Sequence, residues 1–152
     1  MDLCDRNDIQ ALLVRHGFHF AKALGQNFLI RGDVAEDIAA AGCVPGCGVL
    51  EVGPGIGALT VQLARRAEKV VSVELDKRLP PVLAETMADY DNFTLIEGDV
   101  MQLDLAAVTA EKVPGLPAVL CAFVLSYEIS ASLMYTSAET LSASHVLPAG
   151  RK

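Results

Sequence analysis

Val49-Leu50-Glu51-Val52-Gly53-Pro54-Gly55-Ile56-Gly57, followed at once by Ala58-Leu59-Thr60, is the stretch that decides the fold. The first four residues read as a short strand. Gly53 and Gly55 let the chain turn sharply and let a ligand approach the backbone. Residues 58–67 then read as a helix with Leu59, Leu63 and Ala67 on one face. Downstream, the apolar run Val70–Glu74 suits a buried parallel strand. Residues 79–89 read as a helix with Pro80 and Pro81 in its first turn, where a missing N–H costs least. Residues 92–97 form a third strand ending at Gly98-Asp99, residues 104–112 a short helix or loop, and residues 118–124 a fourth strand. Strand alternates with helix throughout, which predicts an α/β fold with a mostly parallel sheet.

Upstream, residues 7–16 place Ile9, Leu12, Leu13 and His16 on one helical face, with Asn7 as the expected cap and Gly17 as the stop. Residues 18–32 read as a loop. A second helix is expected from Asp33, where Asp33 and Glu36 have capping-box spacing, with Val34, Ile38 and Ala41 inward and Gly42 at its end. The organisation expected is an N-terminal helix and arm (1–32), a ligand-binding core (33–124) and a Ser-rich tail (125–152), the last with a weakly patterned helix over 130–141.

The 152 residues are 52 % apolar, enough for a buried core, and no run approaches the length of a membrane span. The charged start lacks an apolar signal core, so the expected compartment is the cytoplasm. Net charge is −7, and the negative charge is confined to the middle: +1 over residues 1–32, −9 over 33–111 and +1 over 112–152. Bulk electrostatics therefore do not draw this chain to a polyanion. Of Cys4, Cys43, Cys47 and Cys121, only Cys43 and Cys47 are close in sequence. A zinc site needs a second pair or adjacent histidines, and His16 and His19 lie well upstream. Free thiols and no metal are the expectation.

Three strand ends present Gly53 and Gly55, then Glu74, then Asp99 along one edge. Glu74 lies 21 residues after Gly53, the place where an acid accepts from ribose hydroxyls in open α/β sheets. Each acid taken singly also reads as a solvated strand end or a cap, and the turn as a plain strand-to-helix link. In combination they point to an adenosine-containing ligand. A nicotinamide dinucleotide puts its pyrophosphate on the helix N-terminus. Glu51, in the strand before the turn, would repel a diphosphate but suits the sulfonium and ammonium groups of S-adenosyl-L-methionine, and Asp99 can accept from the adenine amino group.

Leu24-Gly25-Gln26-Asn27-Phe28-Leu29, Leu50-Glu51-Val52-Gly53-Pro54-Gly55-Ile56-Gly57-Ala58-Leu59-Thr60, Val73-Glu74-Leu75-Asp76 and Glu97-Gly98-Asp99-Val100 stand in one order and spacing. Together they resemble the ribosomal RNA adenine dimethyltransferases over roughly residues 9–121. The resemblance implies a Rossmann-like methyltransferase fold, here C-terminally incomplete because the family's helical domain is absent. It implies transfer of methyl groups from S-adenosyl-L-methionine to N6 of two adjacent adenines in small-subunit rRNA, free or in a pre-ribosomal particle, by a monomer. By position, Asn27 and Leu29 would border the donor's methionine end and Gly53 and Gly55 would lie under it. Glu74 would hold the ribose and Asp99 the adenine. Lys22 and Arg31 would meet RNA phosphates, or else are ordinary surface charges. The family's Asn-Leu-Pro-Tyr segment, whose Asn accepts from the target amino group while the aromatic stacks on the flipped base, is altered. Cys121 to Ser130 contains no Asn: Val124 or Phe123 stands in its place, Ser126 replaces Pro, and Tyr127 remains as a stacking or core aromatic. Donor binding is therefore expected to survive better than methyl transfer. The alternative expectation is a truncated or frameshifted chain that binds donor or RNA without transferring methyl groups.

Overall fold

The computed structural model describes residues 1–18 and 32–122, with side chains as far as residue 118. The elements are α1 (Arg6–Arg15), α2 (Gly32–Gly42), β1 (Gly48–Val52), α3 (Ala58–Ala64), β2 (Lys69–Glu74), α4 (Pro80–Thr86), β3 (Phe93–Glu97), a 3-10 turn (Val100–Gln102), α5 (Leu105–Lys112) and β4 (Ala118–Ala122). The four strands form one parallel sheet in the order β3-β2-β1-β4. The chain thus builds outward from β1 through β2 to β3, then crosses back to lay β4 on the other side of β1. The crevice at the carboxyl ends of β1 and β4 is the topological switch point, the place where open α/β sheets bind ligands.

The strands' alternation sorts two cores onto the two faces of the sheet. On one face Val49 and Val70 pack with Leu12, Leu13, Leu59, Leu63, Val82 and Leu83, so α1, α3 and α4 share that layer; Ala35 and Ala39 bring in α2. On the other, Leu50, Val52, Val71 and Val73 pack with Leu105 and Val113 at the two ends of α5. Each fully buried Leu or Val contributes about 1.5–3 kcal/mol of burial free energy. Because β1 and β2 are covered on both sides, all five β1 residues are buried, as the near-continuous apolar reading of these strands requires.

Several local expectations are corrected. The α1 cap is Asp5, not Asn7: the Asp5 carboxylate accepts from the backbone N–H of Asn7 (2.9 Å) and Asp8 (3.0 Å). Helix α1 ends at Arg15. His16 closes it as C-cap and turns to Glu85 of α4 (Nε2 to Oε2, 2.7 Å), beside an Arg15–Glu85 ion pair. Helix α2 already includes Gly32 and Asp33, so Asp33 lies in its first turn. The buried face of α2 is Ala35 and Ala39; Val34 and Ile38 are half-buried and Ala41 is exposed. Helices α3 and α4 stop at Ala64 and Thr86, each three residues short of the expected end. The loop residues 19–31, the end of the fourth strand after Ala122 and the tail lie outside the described residues. Among the described residues no helix is long and apolar enough to cross a membrane.

Candidate functional site

The glycine turn carries positive φ at Gly53 (72°), Gly55 (62°) and Gly57 (95°), a backbone that residues with a Cβ rarely adopt. Its closure is local: the Gly57 N–H donates to Pro54 O (3.0 Å), and the Gly53 N–H donates sideways to Val73 O of β2 (3.0 Å). Ile56, 1 % exposed, pins the turn into the core. A Cβ on Gly57 would stand 3.0 Å from Thr86 Oγ1 and 3.4 Å from Leu83 Cδ2, so the third glycine also lets α4 lie against the start of α3.

Glu74 ends β2 against this turn. Its Oε2 accepts from the Gly55 N–H (3.3 Å) and its Oε1 from the Asp76 N–H (2.9 Å). Burial pushes its pKa up from the usual carboxylate range, and the two backbone donors pull it back. At the end of β3, the Gly98 N–H donates to Glu74 O (2.8 Å), which fixes the two strand ends side by side. Asp99 follows, half-buried, with Oδ1 accepting from the Met101 N–H (2.9 Å) as the cap of the 3-10 turn. Both acids thus take the local roles that sequence also allowed. A carboxylate has about four acceptor positions, so these bonds leave room for a ligand's donors.

The structure therefore brings Gly53, Gly55, Glu74 and Asp99 together on one sheet edge. Lys22, Asn27, Leu29, Arg31 and Tyr127 lie outside the described residues, as do Phe123, Val124 and Ser126. Glu51 is not on the rim. It is 1 % exposed and its Oε2 accepts from Thr60 Oγ1 (2.9 Å) and Ser72 Oγ (2.6 Å). Burial raises its carboxyl to about 7, against the pull of the two hydroxyls; the nearby Glu74 charge raises it further. Two residues that sequence reasoning did not single out, Leu75 and Met101, stand beside these acids 66 % and 46 % exposed. Each follows a strand-end acid by one or two positions, and each is an apolar side chain that the core does not use; that unused apolarity was the available signal.

Among the described residues no three His, Cys, Asp or Glu side chains gather as a metal site, and Cys4, Cys43 and Cys47 are free thiols. Burial and the adjacent Cys47 push the Cys43 thiol up to about 12, so it is an unreactive thiol at neutral pH. A cavity of about 360 Å³ bordered by Leu3, Gln62, Arg65, Thr86 and Tyr90 lies in the helical layer and includes none of the strand-end residues.

Residues 17–147 match the family described as ribosomal RNA adenine dimethylase. The match runs further toward the C-terminus than the resemblance read from the motifs, which ends near residue 121. Among curated relatives, the ribosomal RNA small subunit methyltransferase A of Geobacillus thermodenitrificans is 51 % identical over 112 residues, covering 73 % of this chain and 38 % of that protein. The protein of the same name from Lysinibacillus sphaericus is 43 % identical over 126 residues, covering 82 % of this chain and 43 % of that one. The chain thus spans about two fifths of the length of these relatives. Among solved structures, the 23S rRNA methyltransferase ErmE superposes with a TM-score of 0.65 at 28 % identity, covering 79 % of this chain and 47 % of that one. A dimethyladenosine transferase from Plasmodium falciparum shares the fold, with a TM-score of 0.62 at 24 % identity over 76 % of this chain and 41 % of its own. The parallel β3-β2-β1-β4 sheet is accordingly the Rossmann-like sheet of methyltransferases. With a glycine turn and strand-end acids in this geometry and a family match over most of its length, the chain belongs to the ribosomal RNA adenine dimethylase family.

Proposed function

We propose that this chain binds S-adenosyl-L-methionine at the carboxyl ends of β1, β2 and β3, and that its activity is transfer of methyl groups to N6 of two adjacent adenines in small-subunit rRNA. The observation that carries the reading is Glu74, held against the second glycine of the turn by the Gly55 N–H. The residues present fit the donor. Glu74 keeps acceptor capacity for ribose hydroxyls, Asp99 for the adenine amino group, and Leu75 and Met101 offer exposed apolar surface beside them for a flat base. The bound donor would supply a methyl group on a cationic sulfur; the chain's own part is to orient it. Asn27 and Leu29 would border its methionine end, Lys22 and Arg31 would meet RNA phosphates, and Tyr127 would stack on the target base. An rRNA or pre-ribosomal partner, a monomeric state and a cytoplasmic location accompany this reading.

Isothermal titration with S-adenosyl-L-methionine and with a nicotinamide dinucleotide tests the donor assignment. Binding of the first alone, weakened by Glu74→Ala, is expected; preference for the dinucleotide overturns it.

One observation favours a second reading, a donor-binding chain with impaired transfer. No Asn stands between Cys121 and Ser130, and neither Val124 nor Phe123 can accept a hydrogen bond from N6. Without an acceptor the amino lone pair stays delocalised into the ring and N6 is a poor nucleophile. Incubating the chain with labelled donor and unmethylated small-subunit particles separates the two readings. Robust dimethyladenosine formation eliminates the impaired reading; donor binding without transfer supports it.

A further inference from the structure

Glu51 lies two residues before Gly53 and beneath the turn, yet its carboxylate is closed off from solvent. Both hydroxyls that reach it donate to the same oxygen, Oε2. They come from different elements: Thr60 from the first turn of α3, and Ser72 from β2, directly opposite Glu51 in the strand register. Thr60 and Ser72 are themselves fully buried. One oxygen therefore joins the strand that enters the turn, the helix that leaves it and the neighbouring strand. Hydroxyls placed on a buried carboxylate favour its charged form, the form that burial otherwise penalises. A sheet face that needed only packing would carry apolar residues here, as the opposite face does.

We infer that Thr60 and Ser72 are positioning residues of the donor site that act through Glu51, keeping a negative charge beneath the glycine turn to attract the sulfonium and ammonium groups of the donor. This rests on the donor reading above. Glu51 acts by its field, since its burial keeps it from contact. Among the described residues, the groups around it leave the charge otherwise unbalanced. Strand β2 presents Ser72 and the like-charged Glu74, and α3 presents Thr60. Helices α1 and α2 bring Ile9, Leu12, Leu13, Ala35 and Ala39 to this face, and β4 sets Cys121 opposite in register. With a carboxyl near 7, Glu51 changes charge across neutral pH. A cationic donor favours the ionised form, so donor affinity is expected to fall as pH drops below about 7, by at most tenfold per unit for one linked proton. Removing either hydroxyl takes away a stabiliser of the carboxylate and moves that fall to higher pH.

The test is donor titration of the full chain from pH 6 to 9, with every variant expressed as a ratio to the unaltered chain so that the donor's own ammonium titration cancels. Ser72→Ala and Thr60→Val are expected to bind S-adenosyl-L-methionine several-fold more weakly near pH 7 and to recover toward pH 9. Ser72→Thr and Thr60→Ser, which keep the hydroxyl, should restore the unaltered profile, and Glu51→Gln should bind weakly with no pH dependence of its own. A loss that is equal at every pH means a merely structural role and overturns the inference, as does an unaltered chain whose affinity does not change between pH 6 and 7. Thermal unfolding without donor follows the Glu51 titration independently. If its midpoint shifts in Ser72→Ala while the unaltered chain binds no donor, the donor reading has failed and the inference with it, while the hydroxyl clamp stands. If the midpoint does not shift, the clamp itself is wrong.

Discussion

The two faces of the sheet are built from the same two strands and differ in kind. Toward α5, β1 and β2 present Leu50, Val52, Val71 and Val73, all buried and all apolar. Toward α3 and α4 they present Val49 and Val70, and then, approaching the glycine turn, Glu51, Ser72 and Glu74. One residue of register separates the two sets. The comparison teaches that the polar groups are confined to the layer whose helix leaves the turn. A carboxylate buried there carries a desolvation cost that pure packing would avoid. A cost kept on one face and absent from the other fits the donor site proposed at the end of that face.

The largest expected effect breaks the packing face. Leu50→Ala removes a buried side chain and should lower stability by about 2–5 kcal/mol in urea unfolding, by the same amount at pH 5 and pH 8. A strong pH dependence in that loss would mean that the two faces are not separable.

Next comes Glu51→Gln on the other face. The Glu51 carboxyl is raised to about 7 in the folded chain against 4.5 in the open one. Its folded state therefore holds the proton more tightly. The stability this confers is complete below pH 4.5 and is lost as pH rises toward 7, amounting to about 3 kcal/mol. Glu51→Gln should remove that decline, so that the variant outlasts the unaltered chain at pH 8 in thermal melts while binding donor less well. A variant less stable at pH 8 than the unaltered chain would remove the argument that the buried charge is costly.

Glu74→Ala, at the rim of the same face, should cost about 10–100-fold in donor affinity, the worth of one or two hydrogen bonds to a charged group, with little change in stability. An unchanged dissociation constant would confine Glu74 to holding Gly55 and Asp76. The smallest effect sharpens the comparison further out. Thr86 Oγ1 is a buried hydroxyl with no hydrogen-bond partner among the described residues. Thr86→Val keeps the shape and removes the unmet polar group, and should stabilise by about 1 kcal/mol in the same unfolding assay. Destabilisation would show that the hydroxyl is used where it meets Gly57.

Much of this was legible in the chain itself. The strand, glycine turn and helix over 49–64, the buried run of β2, the strand β3 and the prolines opening α4 all follow from local chemistry: φ freedom, side-chain period and the missing N–H of proline. The cap of α1 was misplaced because Asp5 and Asn7 are both good caps, and only the observed path of the chain lets the Asp5 carboxylate reach two N–H groups. The buried face of α2 was misplaced because alanine gives a weak periodic signal. Ala35 and Ala39 are inward because small side chains let α2 pack closely on α3.

The sequence by itself determined the order of elements, the positions where the backbone must turn and the two acids at strand ends, since each depends on residues close along the chain. Only the tertiary structure decided that β4 pairs with β1, that Glu74 rests against Gly55, and that Glu51 is closed away between Thr60 and Ser72. Those outcomes depend on which strand lies beside which and on the one-residue register between them. A carboxylate that looks like a ligand contact in the sequence becomes a buried charge once its neighbours have excluded water.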